Sequence, residues 1–379
     1  MTADVATAGP SAPAARWRAL DAFRGLCVAG MLLVNNPGSW SYVYGPLRHA
    51  EWHGWTPTDL VFPFFLFAVG VSMTLSLGRQ LQAGAERQAL WGKAMRRGLL
   101  IVLFGLLLGG FPRYEVAVMR FPGVLQRIGV VYLLAATAWL YLRPAGQRRL
   151  AAGLLLGYWA AMMLVPVPGV GRGSLAIEGN LAQYLDNLLL HGHTWKPTWD
   201  PEGILSTFPA VATCLLGAFA GDRLRGGGDA RDGALRLFAA SGVACMLGWF
   251  WSAWFPINKG LWTSSYVLLT AGLAGLVLTW LWVVIDWQGR DRWALPLYVF
   301  GSNALLAFLG TGLMAKSMIL LKVSGPDATP IPVQRWVYEH WFASWAGPLG
   351  GSLAYAIAFV LLWLAILWIP YRRGIFLKV

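Results

Sequence analysis

Ten apolar stretches, parted by Gly, Pro and charge, constrain this chain more than any other feature. They run near Ala19–Val34, Leu60–Leu77, Gly98–Leu108, Val124–Leu142, Leu150–Leu164, Ile204–Ala220, Leu235–Phe255, Trp262–Ile285, Leu295–Met314 and Leu353–Pro370. The third looks short, but Leu90–Ala94 continues it with interspersed charge. A helix crossing hydrocarbon needs about 20 mostly apolar residues, and inside lipid a helix satisfies its own backbone polar groups. The 379 residues accommodate ten such helices and their connections, with no room for a second sizeable globular unit. The predicted fold class is an all-α polytopic membrane protein of about ten transmembrane helices. A single membrane domain is expected over residues 16–379. Residues 1–15 are Ala/Pro-rich and lack the basic-then-apolar order of a signal peptide, so they read as a disordered cytoplasmic tail.

Charge fixes the expected orientation. Only 12% of the residues are charged, against roughly 25% in soluble domains. Yet the net charge is +13, which in a soluble protein would suggest nucleic acid as partner. Its placement argues otherwise. Alternate connections hold Arg16, Arg18 and Arg24, then Arg79 to Arg97, Arg143 to Arg149, Arg223 to Arg236, Arg290 and Arg292, and finally Arg372, Arg373 and Lys378. Twenty of the thirty basic residues fall on that side and nine on the other, with Arg127 inside the fourth stretch. Such alternation is the positive-inside pattern, and it places both termini in the cytoplasm. The basic charge is topological, and nucleic acid is not an expected partner. Cys27, Cys214 and Cys245 all lie in apolar stretches, which argues against a disulfide framework or a zinc knuckle. No internal repeat of the transporter kind stands out.

The chemistry concentrates on the outer connections. Val34 to Phe65, VNNPGSWSYVYGPLRHAEWHGWTPTDLVFPFF, sets Asn35, Asn36, His49, Glu51, His53, Thr56, Thr58 and Asp59 between the first two spans. Trp40, Tyr42, Tyr44, Trp52 and Trp55 suit either an interfacial belt or a sugar-stacking surface. HAEWH is not the HExxH zinc signature, and His191 and His193 add no third ligand at a fixed spacing, so no metal is expected. On spacing alone, His49 reads equally as a hydrogen-bonded structural histidine. Asp59 can be an N-cap or an acceptor for a sugar hydroxyl, and Glu202 can play either part at the sixth span. Gln126 and Arg127 enter the fourth span from outside and line a cavity in this reading, because an arginine facing lipid there is costly. Lys259, Trp262, Ser264 and Tyr266 form a polar face opening the eighth span, and Asn303 sits in the ninth. Asp21 and Arg24, at the cytoplasmic edge of the first span, can pair locally or meet phosphates.

Several of these segments share a pattern. RALDAFRG, MLLVNNPG, HAEWHGWTPTDLVFPFFLF and VGVSM, between Trp17 and Leu77, resemble the heparan-α-glucosaminide N-acetyltransferase family. FPGVLQRIGVVY (Phe121–Tyr132), WDPEGILSTFPAVATCLLGAFAG (Trp199–Gly221), INKGLWTSSYVLLTAG (Ile257–Gly272) and, more weakly, GSNALLAF (Gly301–Phe308) extend the resemblance in order along the chain. It implies transfer of an acetyl group from cytoplasmic acetyl-CoA to the amine of a glucosamine-type sugar across the membrane. The family's essential histidine matches His49, and an asparagine used at the same site matches Asn35. Arg24, Asp59, Gln126, Arg127, Glu202, Lys259, Trp262, Ser264, Tyr266 and Asn303 are then candidates for holding substrate or acetyl-CoA. Histidine suits the task, since acyl transfer to an amine needs a base near neutrality and donors for the oxyanion. His49 can act as general base in a ternary complex or be transiently acetylated. A homodimer is expected by family analogy. Animal members carry an extra outer domain and helix, so the short beginning of this chain points to a prokaryotic inner membrane and an envelope or glycosaminoglycan amino sugar. Two other functions fit the sequence: transport of a polar solute past His49 and Arg127, and O-acylation of envelope glycans.

Overall fold

The computed structural model describes residues 17–225, 230–325 and 329–377, so the tail expected at 1–15 lies outside the described residues. A helix occupies each of the apolar stretches. In chain order they are α1 (Arg18–Asn35), α2 (Pro57–Gln82), α3 (Arg87–Gly110), α4 (Val124–Tyr141) and α5 (Pro144–Leu164). A short α6 (Leu181–Leu189) lies in IEGNLAQYLDNLLL, whose apolar spacing in the sequence suits a helix lying on the membrane surface. Then come α7 (Ile204–Arg225), α8 (Ala230–Trp251), α9 (Ser264–Leu281), α10 (Leu295–Ser302), α11 (Ala304–Leu320), α12 (Val333–Tyr338) and α13 (Ser344–Arg372). A small hairpin of β1 (Lys322–Ser324) and β2 (Pro330–Pro332) precedes α12.

Among the described residues six helices are long and apolar enough to cross a membrane, or seven if the bent pair α10–α11 is one span. The chain is a multi-pass membrane protein. The difference from ten has a physical reason in α1, α3 and α5, the last of which carries the polar run Gln147, Arg148 and Arg149 near its start. Arg18, Asp21 and Arg24 lie inside α1, and Arg87, Lys93, Arg96 and Arg97 inside α3, so charges expected at the membrane edge are built into the helices.

Lipid tails are as apolar as leucine, so helices in a membrane associate through close backbone approach and not through hydrophobic exclusion. Glycine placement here dictates the pairs. A Cβ on Gly70 of α2 would collide with the Cys214 carbonyl of α7, and one on Gly217 with the Phe67 carbonyl. Gly98 and Gly129 face each other across α3 and α4, while Gly248 and Gly272 let α8 and α9 touch. Gly25 and Gly301 do the same for α1 and α10. By contrast, α8 turns Phe238, Met246, Trp249 and Phe250 outward, as a helix against lipid should.

Long-range caps finish the frame. The Asp286 carboxylate accepts from the backbone N–H groups of Arg18 (3.3 Å) and Ala19 (3.1 Å), closing the start of α1. Between α10 and α11 the axis bends by 71° at Asn303, whose φ of −130° and ψ of 44° leave the helical region. Its amide donates to the Ile375 carbonyl (3.1 Å) and its oxygen accepts from the Leu377 N–H (2.9 Å). The side chain thus replaces helix bonds with a clamp on the segment following α13.

Candidate active site

The outer-loop cluster folds around the start of α2. Pro57 occupies the first helical turn, and Asp59, at the third position, reaches back to accept from the Thr56 N–H at 3.0 Å. The same oxygen, Oδ2, accepts from the Ala50 N–H at 3.0 Å, which pulls the preceding loop down onto the helix end. The other oxygen, Oδ1, lies 2.6 Å from His49 Nδ1. Asp59 is 1% exposed, whereas the His49 side chain keeps 45% of its surface open. The N-cap expected at Asp59 is Thr56 instead; Asp59 caps from the third helical position and gives its other oxygen to the histidine. A carboxylate only accepts, so the Nδ1 proton donates to Asp59 and Nε2 presents its lone pair.

A tight turn brings a cation over the face of the ring, beside Asp59. Asn258 accepts from the Leu261 N–H through its side chain (2.8 Å), and its own N–H donates to Thr263 Oγ1 (3.0 Å). Within this turn Trp262 takes a φ of +53°, a left-handed conformation that a bulky residue adopts only when its surroundings hold it there. Lys259 Nζ sits 3.1 Å from His49 Nδ1, 3.3 Å from Nε2 and 3.7 Å from Asp59 Oδ1. Burial pushes the Lys259 ammonium below its ordinary pKa, while the charges of Asp59 and Glu202 pull it back up. Beneath, the Tyr266 hydroxyl donates to the Asp59 carbonyl (2.5 Å) and packs edge-on against Trp262. Gly260 has no Cβ to obstruct Trp52 and Trp199, which meet above it edge-to-face at 5.7 Å. The Asn258 side-chain amide lies 3.3 Å from His53 Nδ1, so His53 holds this turn and does not face His49's partners.

A second polar layer abuts the first. Arg127 is buried with its guanidinium 5.2 Å above the Trp262 ring, and it donates to the Gly203 carbonyl (3.1 Å) and the Ser206 hydroxyl. Arg120 binds Asp200 with two bonds of 2.7 and 2.6 Å and Glu202 with one of 2.5 Å. Burial by itself would lower the Arg120 pKa, but these carboxylates outweigh it and raise it. The Arg120–Asp200 pair was not among the sequence candidates. Opposite charges in FPRYEVAVMRFPG and WDPEG, both on outer connections, were the available signal.

Asp186 of α6 completes the layer by accepting from the Ile204 N–H (2.8 Å) at the start of α7. It is 2% exposed, and burial pushes its carboxyl up from 3.8 to about 6. The protonated form is therefore favoured in the fold. Stability from this group is full below the unfolded value of 3.8, falls as pH rises toward about 6, and is flat above. Two pH units correspond to roughly 3 kcal/mol. Asp186→Asn should flatten that part of the thermal-unfolding profile of the detergent-solubilised protein, and an unchanged slope would refute the assignment.

The remaining candidates lie elsewhere. Asn35 stands exposed as the last residue of α1. The Ser264 hydroxyl donates to the Leu155 carbonyl (2.7 Å) and fastens α9 to α5. The Gln126 carboxamide fills the notch left by Gly105 and Gly123. Arg24 donates to the Gly301 carbonyl and lies 3.6 Å from Asp21, toward the opposite end of α1 from Asn35 and close to the break at Asn303. The structure thus gathers His49, Asp59, Lys259, Trp262 and Tyr266, with Glu202 and Arg127 beside them. It does not bring Asn35, Arg24, Asn303, Ser264 or Gln126 into contact with His49.

Comparison with known proteins bears on this cluster. A family model described as heparan-alpha-glucosaminide N-acetyltransferase, catalytic, matches residues 16–250. The chain is 30% identical to the heparan-alpha-glucosaminide N-acetyltransferases of Mus musculus, over 82% of its length, and of Homo sapiens, over 96%. It spans 55% and 60% of those two proteins.

Proposed function

The chain belongs to the heparan-α-glucosaminide N-acetyltransferase family, and from that premise we propose that it moves an acetyl group from acetyl-CoA to the amine of a glucosamine-type sugar. The observation carrying this reading is the 2.6 Å contact between His49 Nδ1 and a buried, doubly anchored Asp59, on a ring otherwise open to the outside. In this mechanism the sugar amine attacks the thioester carbonyl, Nε2 takes the amine proton and passes it to the departing CoA thiolate, and CoA leaves as its thiol. Asp59 fixes the tautomer and stabilises the imidazolium that forms, as the acid does in hydrolase triads. The family resemblance alone assigns Asn35, exposed at the end of α1, to donate to the developing oxyanion. Lys259 and Tyr266 position His49 and Asp59, and Glu202, Arg127 and Trp262 shape the floor beneath them. Arg24 and Asn303 are read here as struts of the helix break.

The finer topology belongs to the same proposal. Ten spans with both termini in the cytoplasm put His49 outside, so acetyl-CoA reaches it through the bundle from the cytoplasmic side. The alternation of basic connections supports this. Residues 16–379 then form one membrane domain, in a prokaryotic inner membrane and as a homodimer by family analogy. One observation favours transport instead: the 71° break at Asn303, since broken helices coordinate cargo in transporters. Here the polar groups at the break bond within the chain, Asn303 to Ile375 and Leu377 and Arg24 to Gly301.

Purified protein in detergent, given acetyl-CoA and glucosamine, should release free thiol in step with N-acetylated sugar. A product cleaved by hydroxylamine would move the reading to O-acylation. Absence of turnover with any amine or hydroxyl sugar, together with solute uptake into liposomes, would replace it by transport.

A further inference from the structure

A general base must lie within about 2.6–3.2 Å of the proton it abstracts. A primary amine of the protein itself already stands against this base, over the face of the His49 ring and within reach of both its nitrogens. Lys259 Nζ stands 3.3 Å from Nε2 and 3.1 Å from Nδ1, held by the Asn258–Thr263 turn and steadied by Asp59 at 3.7 Å. Its side chain keeps 23% of its surface exposed, so the amine is enclosed but reachable. Other lysines are placed differently. Lys93 bonds Gln80, and Lys316 donates to the carbonyls of Leu108, Gly109 and Phe111. Lysine shifts its pKa readily when buried, which is why it serves as a nucleophile in enclosed sites, and burial moves Lys259 in that direction.

We infer that Lys259 is itself an acetylation site: with no amino sugar at the mouth, its ε-amine accepts the acetyl group and the acetylated enzyme drops out of turnover. The inference rests on the acetyltransferase reading above. Lys259, once neutral, attacks the thioester carbonyl carbon. An N–C bond forms, the C–S bond breaks, CoA departs as thiolate, and the amine proton passes to His49 Nε2 and from there to the thiolate. The product is an amide, stable where an acetyl-imidazole is not. It removes the positive charge facing Asp59 and leaves a bulky neutral group against the ring that the acceptor amine must approach. An enzyme charged with acetyl-CoA but starved of sugar would thereby inactivate itself, and the sugar would protect it by competing for the same acetyl group.

The test is incubation of the full chain in detergent with acetyl-CoA carrying a heavy-isotope acetyl group, followed by hydroxylamine treatment and peptide mapping by mass spectrometry. The expected result is label on Lys259 that survives hydroxylamine and is suppressed by glucosamine. It should be missing in His49→Ala and in His49→Gln, the second variant keeping a polar group against Asp59. Sugar acetylation should fall in proportion to the fraction of Lys259 labelled and stay down after removal of acetyl-CoA. Wild-type protein that acetylates glucosamine yet leaves Lys259 unlabelled would overturn the inference and spare the enzymatic reading. So would label on Lys259 appearing no faster than on the exposed Lys196 and Lys322, which report ordinary chemical acetylation. Failure to acetylate either glucosamine or Lys259 would remove both.

Discussion

Replacing His49 by alanine should slow acetyl transfer to glucosamine by about 10²–10⁴-fold, the usual contribution of a positioned general base. The side chain is nearly half exposed, so its removal leaves no core cavity, and the variant should elute and melt close to wild type. Asp59→Asn makes the sharper test. An asparagine oxygen can still accept from the Thr56 and Ala50 N–H groups, so the start of α2 stays capped. Its amide then faces His49 Nδ1 as a donor, which forces the ring proton onto Nε2 and leaves no lone pair for the amine. In hydrolase triads the same exchange costs about 10⁴-fold in kcat. Activity should therefore collapse in a folded protein, measured as kcat with both substrates saturating. An Asp59→Asn protein within one order of magnitude of wild type would mean that the pair is a structural contact and His49 is not the base.

The parts of this molecule legible in its sequence are those written locally. Long apolar runs set apart by turn residues gave the helices. The amphipathic spacing of IEGNLAQYLDNLLL anticipated α6, where Asn180 caps Gln183 and the buried side holds Leu181 and Ala182. His49 was marked by the HAEW segment that resembles the family, whereas its spacing alone reads equally as a structural histidine. Asp59 was visible too, but a cap and a histidine partner look identical in sequence, and only a loop folded back over the helix end unites them. What stayed hidden is non-local. Asn303 reads as one polar residue inside an apolar run, and its clamp on Ile375 and Leu377 lies more than seventy positions away. Lys259 meets His49 across a separation of 210 residues.

The same distance hid the strongest ion cluster, and it predicts the largest effect on stability. Arg120 neutralises Asp200, which has no exposed side-chain surface, and Glu202, which has 7%. Asp200 also accepts from the backbone N–H groups of Trp195 and Glu202, so the carboxylates cannot turn out to water without undoing the loop. Removing one partner of a buried pair leaves an uncompensated charge and costs about 3–5 kcal/mol, far more than the intact pair contributes. Arg120→Ala should accordingly lower the unfolding temperature more than any surface substitution, and it should weaken activity as well, because Glu202 sits in the field of Lys259. The triple variant Arg120→Ala/Asp200→Asn/Glu202→Gln removes the orphaned charges with their partner and should recover much of the loss, a non-additivity that identifies charge and not packing as the cause. Thermal unfolding in detergent reads both proteins. If Arg120→Ala melts with wild type, the cluster is too well hydrated to matter; if the triple variant melts no higher than the single, the loops are held by shape and the ion pairs only decorate them.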